Sequence, residues 1–68
     1  MKRKIYIDGK HWENILQLPC VRGLNKRDEE YVVKVKVGKA STVFAEAGDA
    51  IVENNDGSWR VEKKGGQQ

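Results

Sequence analysis

The chain has little of what metal centres and disulfide frameworks are made of. Its 68 residues include one cysteine, Cys20, and one histidine, His11. One cysteine cannot form a disulfide within the chain, and a structural zinc site needs about four Cys, His or carboxylate ligands in a tetrahedron. The sequence therefore predicts no metal site, no cofactor and a fold that depends on packing alone.

Long apolar runs are also missing from the sequence. The segment MKRKIYIDGKHW at the N-terminus is basic, but no apolar stretch of about 7 or more residues follows it, which argues against a signal peptide. No run approaches the roughly 20 apolar residues of a transmembrane helix. A small secreted domain would also carry several cysteines. These absences predict a cytoplasmic protein without a membrane partner.

No arrangement of residues is typical of an active site. The phosphate-binding pattern G-x-x-x-x-G-K is absent, and the acidic run at residues 28–30 is typical of a solvated loop. His11 and Cys20 lie on either side of a predicted helix, with no third group placed to orient the histidine. A domain of this size buries only about 60% of its unfolded surface, so its core is thin. We therefore expect no catalytic residue and no enzyme.

The N-terminal part of the chain predicts a strand followed by a short helix. KIYI, residues 4–7, is β-branched and aromatic. In residues 10–18, Trp12, Ile15 and Leu16 have the spacing of one helical face. Asp8 is placed to cap this helix, and Pro19 ends it. Because so short a helix is unstable alone, we expect it to lie on a sheet.

Residues 31–54 predict the strands of that sheet. In YVVKVKV, residues 31–37, Tyr31 and three valines alternate onto a dry face, and Lys34 and Lys36 point to a wet one. Residues 41–47 and 50–54 are the next two strands. The polar residues 25–30 are expected to form an exposed loop.

The segment AIVENNDGSWRV predicts a closing hairpin. With Asp56 and Gly57 at the centre of a type I′ turn, Glu53 faces Arg60 and Val52 faces Val61. This register turns Trp59 towards the core.

These patterns together predict a single α+β domain over residues 1–62. One short N-terminal helix packs on a small, curled, mainly antiparallel sheet of four or five strands, or on a partly open barrel. Residues 63–68, KKGGQQ, have nothing to bury and are expected to be a disordered C-terminal tail.

With no chemistry predicted in the interior, function is expected at the surface. The chain has 13 basic and 10 acidic residues, a net charge of +3, which is mild for a nucleic-acid-coating protein. Its predicted role is that of a non-enzymatic accessory protein that binds a macromolecular protein partner. The candidate contacts are Arg22, Lys26 and Arg27, expected to form a basic patch, and the hairpin tip at Asn55 and Asp56.

The alternative hypothesis is a module that binds single-stranded nucleic acid. Its residues would be Tyr6, Lys34, Lys36 and Arg60 on a basic sheet face, with stacking and phosphate contacts. A solvated lysine face that protects a sheet edge is the simpler interpretation. A free edge would also allow a homodimer.

The order FAEAGDAIVENNDGSWRV, after HWENILQLPCV and YVVKVKVGKAST, resembles that of small phage and prophage proteins of unknown function. In that group a strand enters a Gly-Asp-x-Ile corner and a Gly-aromatic hairpin closes the domain. The resemblance covers residues 12–61, and its fixed points are Gly48, Asp49, Ile51, Gly57 and Trp59. It implies an α+β fold, no defined activity and a place in the host bacterial cytoplasm, where such a protein would act on host machinery, for example as an inhibitor.

Overall fold

Two small antiparallel sheets and one short helix make up residues 2–66, the part of the chain that the structure, a computed structural model, describes. The elements are β1 (Arg3–Tyr6), α1 (Trp12–Leu16), β2 (Val21–Arg27), β3 (Glu30–Lys36), β4 (Thr42–Glu46), β5 (Ala50–Glu53) and β6 (Trp59–Glu62), and a 3-10 turn at Lys64–Gly66 follows. Sheet I has the strand order β1-β5-β6, and sheet II has the order β2-β3-β4. The predicted α+β class, mainly antiparallel with one short helix, is confirmed.

The prediction of one sheet with four or five strands is wrong, because β5 does not pair with β4. Ile51 of β5 pairs with Ile5 of β1, at the far end of the chain. The chain leaves sheet II at Gly48, whose φ of +99° is a conformation that L side chains rarely adopt. Alternation along a strand indicates which face is buried, but not which distant strand becomes its partner.

β2 extends through residues that were expected to form a loop. Asn25 pairs with Val32 and Arg27 pairs with Glu30, so the turn between β2 and β3 has only two residues. Asp28 in that turn has a φ of 56°, which aspartate tolerates better than most residues. The polar side chains of residues 25–27 misled the prediction, because a strand at a sheet edge pairs through its backbone and can leave its side chains in water.

The helix is also shorter than predicted, with five residues where residues 10–18 were expected. Asp8 does not cap it. Its carboxylate oxygen Oδ1 accepts hydrogen bonds from the amides of Lys10 (2.8 Å) and His11 (2.9 Å), in the turn before the helix. His11 occupies the N-cap position without a side-chain cap.

The buried core is aliphatic. Within residues 2–66 its apolar members are Ile7, Ile15, Cys20, Val32, Val33, Val35, Ala45, Ala50, Ile51 and Val52. Side chains from both sheets and from α1 form one cluster, and Trp12 and Trp59 pack against it while half-buried. Tyr31, predicted on the dry face of β3, is 44% exposed. The Tyr31 ring lies at the rim of the core, where it meets the half-buried Trp12 at a centroid distance of 6.2 Å and an interplanar angle of 60°.

The β5–β6 hairpin has a register one residue away from the predicted one. The amide of Asn54 donates to the carbonyl of Ser58 (2.8 Å), and the amide of Gly57 donates to the carbonyl of Asn54 (3.0 Å). With a φ of +90° at Gly57, this is a three-residue loop, a type I turn followed by a left-handed glycine. The predicted two-residue type I′ turn is wrong.

The shift changes every cross-strand pair of the hairpin. Glu53 lies opposite Trp59, and Arg60 lies opposite Val52. The predicted pairs of Glu53 with Arg60 and of Val52 with Val61 are therefore wrong. Arg60 instead forms an ion pair with Glu62 on its own strand.

The Gly-Asp corner between β4 and β5 contains a buried carboxylate. Asp49 is 1% exposed. Its Oδ2 accepts from the amide of Glu46 (2.9 Å), and its Oδ1 accepts from the amide of Lys64 (2.9 Å). The Lys63 ammonium lies 3.4 Å from Oδ2. The corner therefore joins the end of sheet II, the start of β5 and the C-terminal segment.

Residues 63–66, predicted as the start of a disordered tail, thus make contacts that the sequence does not indicate. Besides the bonds to Asp49, the Lys63 ammonium donates to the carbonyl of Phe44 (2.6 Å) and the Lys64 ammonium to that of Ala47 (3.2 Å). In place of apolar burial, which this segment lacks, hydrogen bonds to a buried carboxylate position it. The rest of the predicted tail, Gln67 and Gln68, lies outside the described residues.

Asp49 stabilises the fold only while it is ionised. Burial alone would raise the pKa of this carboxyl, but the amides of Glu46 and Lys64 and the charge of Lys63 outweigh burial, so its pKa is lowered. A group with a lower pKa in the folded protein stabilises it above the unfolded pKa. That contribution is lost as the pH falls through the folded pKa.

We expect Asp49→Asn to lower the free energy of unfolding by about 2 kcal/mol near neutral pH, because one acceptor oxygen is replaced by an amide donor beside two N–H groups. The matched change Asp56→Asn, at an exposed loop aspartate that accepts from the amide of Ser58 (3.0 Å), should lower the free energy of unfolding by clearly less, because solvent can replace the lost acceptor. Urea unfolding measures both. The Asp49→Asn loss should shrink as the pH falls below about 3.9; a loss independent of pH would contradict the role given to this carboxylate.

Candidate binding site

An open hollow of about 400 Å³ lies beside the β3–β4 turn and the beginning of β6. We call it the basic hollow. Within residues 2–66 it is lined by Pro19, Cys20, Arg22, Lys36, Val37, Gly38, Lys39, Ser58 and Trp59. Its floor is largely apolar, three cationic side chains surround it, and none of these lining residues is acidic.

The three cations reach the hollow from three different segments. Arg22 lies at an irregularity of β2, where the pairing register shifts between Val21 and Gly23. Lys36 ends β3, and its amide donates to the carbonyl of Cys20 (2.8 Å). Lys39 belongs to the turn between β3 and β4. The three cations therefore belong to different parts of the chain that meet around the hollow.

The cations of the hollow have no acidic partner among the described residues. Among residues 2–66, Arg22, Lys36 and Lys39 take part in no ion pair. The Arg22 guanidinium instead donates to the carbonyl of Pro19 (3.0 Å), which fixes its direction without cancelling its charge. Such a site favours an anionic group, and the apolar floor favours a ligand that is not a bare ion.

The predicted basic patch is divided between the two ends of β2. Arg22 lines the hollow, whereas Lys26 and Arg27 lie at the opposite end of the strand. Arg27 borders a recess that includes the acidic residues Glu30 and Glu46. The three residues therefore do not form one surface, and only Arg22 faces a cavity without carboxylates.

The predicted hairpin tip adjoins the hollow through one neighbour. Asn55 and Asp56 are exposed, and Asp56 accepts hydrogen bonds from the amide (3.0 Å) and the hydroxyl (2.6 Å) of Ser58, which lines the hollow. These bonds lower the pKa of Asp56 below its ordinary value, the hydroxyl bond most. The tip is thus ordered by its own side chains.

The residues of the nucleic-acid hypothesis lie on two different sheets. Tyr6 and Arg60 share the outer face of sheet I, because each lies in register with a residue of β5 on that face. Lys34 and Lys36 belong to β3 of sheet II. The four side chains therefore do not form the single basic face that the hypothesis requires.

Cationic side chains lie over most of the aromatic rings in residues 2–66. The pairs and their distances to the ring centroid are Arg3 over Trp59 (5.4 Å), Lys4 over Tyr6 (5.0 Å), Lys26 over Tyr31 (6.0 Å) and Arg27 over Phe44 (5.0 Å). A base could stack on the covered face of such a ring only by displacing the cation, which costs about 0.5–1 kcal/mol at an exposed site. These rings are therefore poor stacking platforms.

A hydrogen-bonded pair of Asp8 and His11 was not predicted as a site. His11 Nδ1 lies 2.6 Å from Asp8 Oδ2, and both side chains are exposed. The bond raises the pKa of His11 and, with the amides of His11 and Lys10, holds the pKa of Asp8 well below its usual range. The spacing Asp-x-x-His is the signal that would have found this pair.

Cys20 is buried, unlike the exposed pair of Asp8 and His11. It is 4% exposed at the base of the hollow, and burial raises the pKa of its thiol. A thiol that is both buried and protonated is a weak nucleophile. Such burial is usual for cysteine, which is among the most buried residue types.

Two further properties concern the described part of the chain. In residues 2–66, no group of three or more His, Cys, Asp or Glu side chains is arranged to hold a metal ion. No helix of that part is long and apolar enough to cross a membrane.

No protein-family model matches the chain, and no curated protein or solved structure is significantly similar to it.

We expect Cys20 to react with a thiol reagent about a hundredfold more slowly, or slower still, in the native protein than in denaturant, because reaction requires local opening. The matched control is Ser41→Cys in a Cys20→Ala background, which places the thiol at an exposed position of the β3–β4 turn. Absorbance of the released thiolate measures both rates. Equal native rates for the two thiols would show that Cys20 is accessible.

Asp8→Asn should lower the pKa of His11 towards its ordinary value, because it removes the carboxylate that accepts from the ring and attracts its charge. Glu13→Gln is the control, since Glu13 acts on His11 only through its more distant charge. An NMR titration of the imidazole protons gives both values. The same pKa of His11 in the Asp8→Asn variant and the wild type would contradict the assigned hydrogen bond.

Proposed function

We propose that this protein is a non-enzymatic binding module that docks an acidic segment of a protein partner in the basic hollow. One observation carries the proposal: Arg22, Lys36 and Lys39 surround an apolar floor, and the residues within 2–66 that line it include no carboxylate. Elsewhere the basic side chains commonly have acidic partners, as Lys4 has in Glu62 (2.9 Å). Unpaired cations around an apolar surface are complementary to carboxylates beside apolar side chains.

A protein partner fits these features better than single-stranded nucleic acid. Nucleic-acid binding without sequence preference combines a continuous basic groove with free aromatic faces. Here the cations of the hollow lie at one end of β2 and β3. Four of the aromatic rings in residues 2–66 already have a cationic side chain over them. The mixture of basic and acidic residues and the net charge of +3 also favour a protein partner over nucleic acid.

The resemblance to small phage and prophage proteins extends the proposal. Such a protein would work in the host bacterial cytoplasm as an accessory factor, and occupation of an acidic segment on host machinery would inhibit that machinery. Homodimerisation through a sheet edge stays a prediction. Along β4 the carbonyl of Phe44 and the amide of Glu46 already have partners in Lys63 and Asp49, which leaves less of that edge for a second copy.

We expect Arg22→Glu to weaken binding of a fluorescein-labelled glutamate-rich peptide about tenfold at low salt, because it puts a carboxylate into the hollow. Lys26→Glu makes the same charge change at the other end of β2 and should alter affinity less than about threefold. Fluorescence anisotropy at two salt concentrations measures both, and circular dichroism confirms that each variant is folded.

Two results would count against the proposal. Equal losses for the two variants would show that net charge, and not the hollow, determines binding. Tighter binding of an oligodeoxythymidylate of equal charge number, with a steep loss of affinity in salt, would favour the nucleic-acid alternative.

A further inference from the structure

The floor of the basic hollow includes an aromatic and two aliphatic side chains. Trp59, half-buried at the start of β6, lines the hollow together with Val37 and Pro19. Within residues 2–66, Arg3 is the cation found over the Trp59 ring, 5.4 Å from its centroid, and it does not line the hollow.

The size of the hollow limits what can enter. About 400 Å³ lies near the lower end of the roughly 300–1,000 Å³ of ligand pockets. That volume suits one large side chain and the backbone beside it, in the way that an interface hot spot inserts one anchor into a pocket. A long acidic stretch without an anchor would leave the apolar floor in water.

The cations also constrain the ligand. Arg22 comes from β2, whereas Lys36 and Lys39 come from the end of β3 and the turn after it, so more than one carboxylate of a bound segment can pair with a cation. Lysine stems at the rim also bury their methylene groups against apolar neighbours while the ammonium stays in water. Both features favour a mixed acidic and apolar segment.

From these observations we infer that the hollow binds one large apolar side chain, leucine or an aromatic residue, flanked by carboxylates in an extended acidic segment of a protein partner. The inference rests on the proposed function, and it specifies the ligand of the same site. Burial of the anchor against Trp59 and Val37 supplies affinity, and the three cations supply the orientation and the preference for acidic flanks.

Two peptides test the inference, one of glutamates with a central leucine and one with alanine at that position. In a Trp12→Phe variant, whose fluorescence comes from Trp59 alone, the leucine peptide should bind about tenfold more tightly and shift the emission to the blue. Val37→Ala should reduce that ratio by about threefold or more. The matched change Val43→Ala, at a valine of β4 that is 36% exposed and does not line the hollow, should leave the ratio unchanged.

The outcomes separate the two proposals. If both peptides bind equally and Arg22→Glu still weakens them, the acidic partner stands and the anchor is overturned. If neither peptide binds, the proposed function and the inference both fall. If the ratio is unchanged in Val37→Ala, or changes as much in Val43→Ala, the anchor does not lie on this floor and the inference is overturned.

Discussion

The two sheets of this small protein are joined through the carboxylate of Asp49. It lies buried at a corner with two main-chain amides and a lysine ammonium as partners, and a buried charge is tolerated only when it is bonded in this way. Because Glu46 ends β4 and Lys64 follows β6, one side chain fixes where sheet II ends, where sheet I begins and where the C-terminal segment lies. The two sheets also share one aliphatic core, in which no aromatic ring of the described residues is fully buried.

The distribution of charge follows from the same division into two sheets. On the outer face of sheet I, Lys4 reaches across β5 to Glu62 while Arg60 pairs with the same carboxylate, and the stems of these side chains cover the buried Val52. The acidic residues of that sheet are thus occupied. At the end of sheet II no carboxylate lies within the hollow among the described residues, and the cations there stay available to a partner. The candidate site is defined as much by where the acidic residues are as by where the basic ones are.

Local features of the fold could be predicted from the sequence, and non-local ones could not. The alternation of residues 31–37 located β3, which spans Glu30–Lys36, almost to the residue. The hairpin register was missed because an Asn-Asp-Gly tip suits both a two-residue and a three-residue loop. The pairing of β5 with β1 and the edge position of β2 depend on contacts between distant parts of the chain.

For the candidate site, the sequence indicated Arg22 and Lys36 but assigned them to different surfaces, since neither the irregularity in β2 nor the turn beside it has a sequence signature.

The Gly-Asp corner recognises positions 46 and 64 by their main-chain N–H groups and not by their side chains. A substitution at Glu46 or Lys64 would therefore keep its amide bond to Asp49 unless it introduced proline, which has no N–H to give, but it would lose the 3.3 Å ion pair between the two side chains. Gly48 has no such freedom, because its φ of +99° is a conformation that L side chains rarely adopt. Gly48 and Asp49 are therefore the positions at which this corner depends on residue type, whereas positions 46 and 64 contribute main-chain N–H groups.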